Sequence, residues 1–296
     1  MLRNLLVLFS LVCGLAQAQT VNVDTYRGMQ TVERGPGVTV VLDIAALDSL
    51  DALGVSVQGV LSNYFIDYIR TADRDAALVG TAFEPDYEAI FALGPDLVIA
   101  GGRSAGAVDD LSRIAPTIDM TIWEHTIDQG LARLTALGQI FGKEQLAAQL
   151  TSDFLNKLNH TRELVKGQGK ALVLMTNGPK VSAYGAGGRF GWLHTALDLP
   201  QAVEEVEAAT HGEAVSFEFI RESDPDILIV IDRLSAIGQD GDSAFTTLDN
   251  VLVKQTKAWR DNKVVFIPSG PIYIAGGGIQ AMNKILDQII EQFDPQ

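Results

Sequence analysis

Apolar residues fall in short clusters along this chain, and the spacing inside the clusters changes as the chain proceeds. Val38-Thr39-Val40-Val41-Leu42 is a run of strand length, and Ile44 to Leu53 carries apolar residues on one helical face. Gly54 to Val60 predicts another strand, Tyr87–Leu93 a helix, Leu97–Ala100 a strand and 109–114 a helix. From Ile127 to Val165 the pattern turns helical. Leu131, Leu134, Leu137, Ile140 and Phe141, then Leu146, Leu150, Phe154, Leu155 and Leu158, recur at three- and four-residue steps with no proline. Only Gly138 and Gly142 soften that long helix, and Gly142 is where it would break. Strands return at Lys170–Met175, Val181–Tyr184, Ile227–Ile231 and Lys263–Ile267, and 279–293 reads as a helix entered through Gly276-Gly277-Gly278. Residues 19–36 are polar and turn-rich. Strand and helix alternating at this spacing predict α/β packing around mainly parallel sheets.

Two of these units are near copies. Residues 84–103 align without a gap on 214–233, sharing Glu88 with Glu218, Ile90 with Ile220, Pro95 with Pro225, Asp96 with Asp226, Ile99 with Ile229 and Arg103 with Arg233. Each unit is a short amphipathic helix, a proline-bearing turn, a buried strand and an arginine at the strand's carboxyl end. The repeat predicts two α/β lobes joined by one long α-helix, with a ligand cleft between them. The boundaries expected are 19–126, a connecting helix over 127–166, and 167–296.

Residues 1–18 form no part of that plan. Arg3 precedes the apolar run Leu5 to Leu15, and Ala16-Gln17-Ala18 is a small-x-small cleavage pattern, so a cleaved secretory signal is expected. Val12 before Cys13 fits a lipid-modified cysteine poorly. Cleavage after Ala18 removes the sole cysteine, which leaves neither disulfide nor thiolate metal site. It also removes Arg3, taking the formal charge from −15 to −16, with 21 basic against 37 acidic residues. A chain so acidic is a poor binder of nucleic acid or anionic lipid. No later segment is apolar for long enough to span a bilayer.

Arg103 follows Gly101-Gly102, Arg233 follows the strand ending Ile231-Asp232, and Arg189 lies in Tyr184-Gly-Ala-Gly-Gly-Arg-Phe-Gly191. Ligands of open α/β sheets bind beyond the carboxyl ends of strands, and glycines beside an arginine let a ligand approach closely. Three such guanidiniums in an acidic protein point to an anionic or aromatic guest; taken singly, each is as well explained by solvation or a local salt bridge. The histidines at 125, 160, 194 and 211 show no short metal spacing. His211 and Tyr273 together offer imidazole and phenolate, and phenolate oxygen suits a hard ferric ion. No phosphate loop and no nucleophile elbow is present, so no catalytic set emerges. Glu88 and Glu218, equivalent in the repeat, are a pair of carboxylates suited to a two-fold-related basic partner.

These segments resemble the helical-backbone periplasmic binding proteins that serve ABC importers of iron–siderophore complexes and cobalamin, and among them the receptors for catecholate ligands. The likeness is carried by Asp43-Ile-Ala-Ala-Leu-Asp48-Ser-Leu-Asp-Ala-Leu-Gly54, Glu84-Pro-Asp-Tyr-Glu-Ala-Ile90, Pro95-Asp-Leu-Val-Ile-Ala-Gly-Gly-Arg103 and Ile114-Ala-Pro-Thr117. Ser182 to Gly191, Thr210 to Glu218, Val230 to Arg233 and Tyr273 to Gly278 complete it. The resemblance implies a periplasmic, monomeric, non-enzymatic protein that meets the membrane only through a permease dimer and has no cofactor of its own. Arg103, Arg189 and Arg233 would then lie beneath the oxygens of a ferric catecholate siderophore. His211 and Tyr273 would ligate Fe(III) where the siderophore supplies only four donors, and Glu88 and Glu218 would meet permease arginines. The alternatives are a hexadentate carboxylate–catecholate needing no protein ligand, and, less well matched to three cations, cobalamin or haem.

Overall fold

The computed structural model describes residues 19–206 and 211–294; the expected signal at 1–18 lies outside them. A hairpin opens the described chain, β1 (Thr20–Thr25) and β2 (Gly28–Glu33), paired antiparallel. The first sheet is β3 (Thr39–Val41), β4 (Gly59–Val60), β5 (Ala77–Leu78), β6 (Leu97–Ala100) and β7 (Thr117–Asp119), in spatial order β5-β4-β3-β6-β7, with every pair parallel. Its crossovers carry α1 (Ile44–Ala52), α2 (Tyr87–Leu93) and α3 (Val108–Leu111).

The segment expected as one connecting helix folds as two, α4 (Thr126–Ile140) and α5 (Glu144–Val165). The break falls at Gly142, whose φ of +65 is cheap only without a Cβ. The longer member, α5, at 22 residues spans about 33 Å by its rise per residue. α4 packs on α1 and β1, in the first lobe's layer.

The second sheet holds β8 (Ala171–Asn177), β9 (Lys180–Tyr184), β10 (Glu213–Val215), β11 (Ile227–Asp232) and β12 (Val264–Phe266), ordered β10-β9-β8-β11-β12. β8, β11 and β12 run parallel, β9 pairs antiparallel with β8, and β10 pairs antiparallel with β9. Helices α6 (Trp192–Thr195), α7 (Phe217–Ser223), α8 (Arg233–Ala236), α9 (Ala244–Leu248), α10 (Lys257–Arg260) and α11 (Ser269–Tyr273) fill its connections, and α12 (Ile279–Phe293) returns against α5 and α1.

The repeat holds at the level of single atoms. Asp86 and Ser216, equivalent in the alignment, cap α2 and α7 by accepting from the backbone N–H groups of Ala89 and Phe219. Gly94 and Asp224, also equivalent, end those helices in left-handed backbone. Asp96 accepts from the Val38 N–H and Asp226 from the Lys170 N–H, both at 2.8 Å, which ties each repeated strand to the start of its neighbour.

α12 is fastened to the first lobe by a buried carboxylate. Asp48 of α1 accepts from the backbone N–H groups of Gln280 at 2.8 Å and Ala281 at 2.9 Å, and from the Tyr68 hydroxyl at 2.7 Å. Gly278 leaves the room: a Cβ there would stand 2.5 Å from the Asp48 carboxyl carbon.

Candidate functional site

All three predicted arginines gather on Tyr273. This residue closes α11, between β12 and α12. Its backbone carbonyl accepts from Arg103 at 3.2 Å and from Arg189 at 2.7 Å. Its hydroxyl accepts from Arg233 Nε at 3.1 Å. The guanidinium carbons of Arg189, Arg103 and Arg233 stand 4.3, 5.5 and 5.9 Å from the ring centre, within cation–π range.

Each arginine is delivered by its local backbone. Arg103 leaves the end of β6 through Gly101-Gly102, and a Cβ at Gly101 would press on the Asp43 carboxylate at 2.8 Å. Buried Ser104 pins that turn by donating to the Leu42 carbonyl at 2.9 Å. Arg189 lies in the turn between β9 and α6, which is held by the Ala186 N–H donating to Gln201 Oε1 at 2.7 Å. Arg233 opens α8, which Asp232 caps, and also donates to Asn177 at 3.1 Å.

A hollow of about 420 Å³ lies between the halves, lined by Arg103, Arg189, His211 and Tyr273. Arg233 does not line it; it reaches the site through the Tyr273 hydroxyl. A second hollow of about 780 Å³ adjoins, sharing Trp123, Thr126, Arg189 and Trp192 with the first. Glu88 and Glu218 stand exposed on α2 and α7, each in its helix's first turn. Among the described residues no group of three or more histidines, cysteines or carboxylates could hold a metal.

The electrostatics favour a negative guest. None of the ion pairs among the described residues takes Arg103, Arg189 or Arg233. Burial lowers the Arg189 pKa, with Tyr273 acting against that and Arg103 adding to it. For Tyr273, burial favours the neutral phenol, but the Arg233 hydrogen bond and the nearby Arg189 and Arg233 charges outweigh it, leaving the hydroxyl more acidic than an ordinary tyrosine. Asp43, in the wall, is pushed up to about 6, chiefly by burial, and Arg103 acts to lower it.

Sequence reasoning missed several lining residues. Asp43 follows the apolar run ending at Leu42, so its place beyond a strand's carboxyl end was available as a signal. Phe83 and Trp123 sit in loops with no periodicity, and nothing in the local sequence marks them as rim residues.

A two-lobed α/β fold with an unpaired cationic cleft between its lobes is the architecture of a solute-capturing receptor. The model of the family described as periplasmic binding protein matches residues 40–271, and the chain belongs to that family. The ferric-anguibactin-binding protein FatB of Vibrio anguillarum is 30% identical over 274 residues, covering 90% of this chain and 85% of that protein. The petrobactin-binding protein YclQ of Bacillus subtilis is 31% identical over 263 residues, covering 87% and 83%. The crystal structure of YclQ superposes with a TM-score of 0.86 at 28% identity, covering 94% of this chain and all of that one. That of BauB, bound to a complex of two acinetobactin molecules and ferric iron, gives 0.84 at 27% identity, covering 94% and 100%. Among the described residues no helix is long and apolar enough to cross a membrane.

Proposed function

We propose that this protein is exported by a cleaved signal at residues 1–18, captures a ferric catecholate siderophore as a monomer, and delivers it to an ABC importer in the inner membrane. In this reading residues 19–126 and 167–296 form the two lobes and 127–166 the connector. The role is capture without turnover. The observation that carries it is the convergence of Arg103, Arg189 and Arg233, from both halves, on one tyrosine without a carboxylate partner. A ferric bis- or tris-catecholate is a compact anion rich in acceptor oxygens, and most of the five donors on each guanidinium stay available to it. At 4 Å and an effective dielectric of 20, each unit charge pair contributes about 4 kcal/mol before desolvation. Cobalamin and haem, whose few anionic groups sit at the periphery of a large ring, match three converging cations less well than a compact anion does.

With a tetradentate siderophore, Tyr273 and His211, which share the hollow, fill the two remaining iron positions. The lowered pKa of Tyr273 supports this, because a phenolate is the form that binds iron. A second reading is a hexadentate carboxylate–catecholate, favoured by the Arg233 hydrogen bond that already engages the Tyr273 hydroxyl. Here the tyrosine would only support the arginines. Glu88 and Glu218 would meet arginines on the two permease subunits.

The test is titration with ferric bis-catechol and ferric tris-catechol, followed by tryptophan fluorescence and by visible charge-transfer absorbance. One-equivalent saturation is expected. A band shift with the bis complex that disappears in Tyr273→Phe/His211→Ala establishes direct ligation, and its persistence favours the second reading. Failure of both complexes to bind refutes the assignment.

A further inference from the structure

Among the four crossovers of the first parallel sheet, the one from β4 to β5, residues 61–76, carries no helix. A structureless connection of that length inside a packed lobe is uncommon and usually serves a function. This one is an arch fixed at both feet. The Ser62 N–H and hydroxyl donate to the Gly80 carbonyl at 2.8 and 3.0 Å. At the other foot, one Asp51 carboxylate oxygen accepts from the backbone N–H groups of Arg70, Thr71 and Ala72 at 2.9, 2.6 and 3.0 Å. Between them the Tyr64 hydroxyl donates to Asp73 and the Tyr68 hydroxyl to Asp48, and Ile66 packs on the core.

Phe65, within this arch, reaches the second lobe. Its φ of +49 is a left-handed backbone that an aromatic residue adopts only where its surroundings hold it there. Two glycines make its seat. A Cβ on Gly238 would stand 2.9 Å from the Phe65 ring, and one on Gly270 would stand 2.9 Å from the Phe65 carbonyl oxygen, so a side chain at either place would push the arch away. Phe65 stays 49% exposed, and beside it lies a hollow of about 670 Å³ bounded by Tyr68, Ser235, Pro268 and Lys284. The ring therefore has room to leave its seat without displacing a core side chain.

The seat belongs to the two short helices that carry Arg233 and Tyr273. Gly238 follows α8, which opens with Arg233, and Gly270 is the second residue of α11, which closes with Tyr273. The Ile237 N–H donates to the Arg233 carbonyl at 3.2 Å and the Ile274 N–H to the Gly270 carbonyl at 2.9 Å, so both helices move with their glycines. α8 and α11 also pack on each other. From the first lobe, then, Arg103 holds the Tyr273 end of α11 and Phe65 holds its beginning. We propose that Phe65 is a positioning residue for ligand capture: its ring and carbonyl, seated on Gly238 and Gly270, set α8 against α11 and so keep Arg233 and Tyr273 in register with Arg103. The 3.1 Å bond from Arg233 to the Tyr273 hydroxyl is the contact that loosens when the seat is lost. This inference rests on the capture reading proposed above and adds to it a residue outside the ligand hollow.

The experiment follows the Tyr273 phenol by difference ultraviolet titration, each protein compared with its own Tyr273→Phe version, with neither iron nor chelate present. In Phe65→Gly, which keeps left-handed backbone without strain, the pKa of that phenol should rise by about one pH unit, a tenfold weaker acid. Phe65→Asn also tolerates that backbone and should do the same. A rise with glycine alone overturns the inference, as does a phenol unmoved in both. Gly238→Ala, which crowds the ring out of its seat, should raise the pKa as well, and should add little on top of Phe65→Gly. Additive shifts overturn the inference, because position 238 would then act through its own backbone. Affinity for ferric bis-catechol should fall about tenfold in Phe65→Gly, and an unchanged affinity overturns the role in capture. If the unaltered protein fails to bind the chelate while its phenol responds to Phe65, the ligand reading falls alone; binding with an unresponsive phenol removes only the role of Phe65.

Discussion

Replacing Asp48 with asparagine should change how stability depends on pH, in a calculable direction. Asp48 has a relative exposure of 0% and accepts from Tyr68, Gln280 and Ala281. Burial raises its pKa from 3.8 to about 7, against the pull of those three hydrogen bonds, with the Asp51 charge adding to the rise. Between those two values the folded protein holds a proton that the unfolded chain releases. The carboxyl's contribution is thus fully present below about pH 4 and is lost as pH climbs through about 7. The slope in that window is up to about 1.4 kcal/mol per pH unit, so going from pH 5 to 7 should remove roughly 2–3 kcal/mol. Asp48→Asn does not titrate, and subtracting its stability from that of the unaltered protein isolates the one group. The amide also accepts through a single oxygen, leaving a buried donor short of a partner at a cost of roughly 1–3 kcal/mol. Urea unfolding of both proteins at steps from pH 5 to 8 measures the difference. It should shrink toward high pH; a constant or widening gap would refute the assignment of a raised native pKa.

Other perturbations test the site and its frame. Difference ultraviolet titration of the unaltered protein against Tyr273→Phe should show one phenol ionising below the ordinary tyrosine value of 10.0, and ionisation above it would contradict the charge effect of Arg233 and Arg189. Arg189→Met removes the guanidinium 4.3 Å from the Tyr273 ring, and affinity for ferric bis-catechol should fall roughly ten- to a hundredfold, with a weaker dependence on salt; unchanged binding by titration would place the anion elsewhere. Gly130→Ala drives a Cβ into the Gly277 carbonyl oxygen, and calorimetry should find the melting temperature lower by roughly 2–10 °C, as expected for overpacking by 1–3 kcal/mol.

Much of this architecture is legible in the sequence where burial is continuous. Helices at Tyr87–Leu93 and Ile279–Phe293 and the strand at Leu97–Ala100 fall on the residues read from periodicity. The repeat exposed Arg103 and Arg233, because a strand's carboxyl end is a position that both pattern and chemistry mark. The β1–β2 hairpin escaped notice. Its inward residues, Val23 and Val32, are separated by a mostly polar stretch that reads as turn until the long-range packing of α4 on β1 is known. Gly54 to Val60 was expected as a strand throughout, but only Gly59–Val60 joins the sheet. Val57 instead donates to the Ala72 carbonyl at 2.8 Å, a partner no local pattern announces. The role of the Tyr273 carbonyl as acceptor for two arginines was invisible for the same reason, since a backbone oxygen has no sequence signature.

The fastening of α12 to α1 bears on the order in which the polypeptide can mature. Leu50, Leu286 and Ile289 share one apolar cluster, and the Asp48 oxygens find their helix-end donors only at Gln280 and Ala281. A nascent chain that stops short of residue 279 leaves that carboxyl without two of its three donors and the part of α1 that α12 covers open to water.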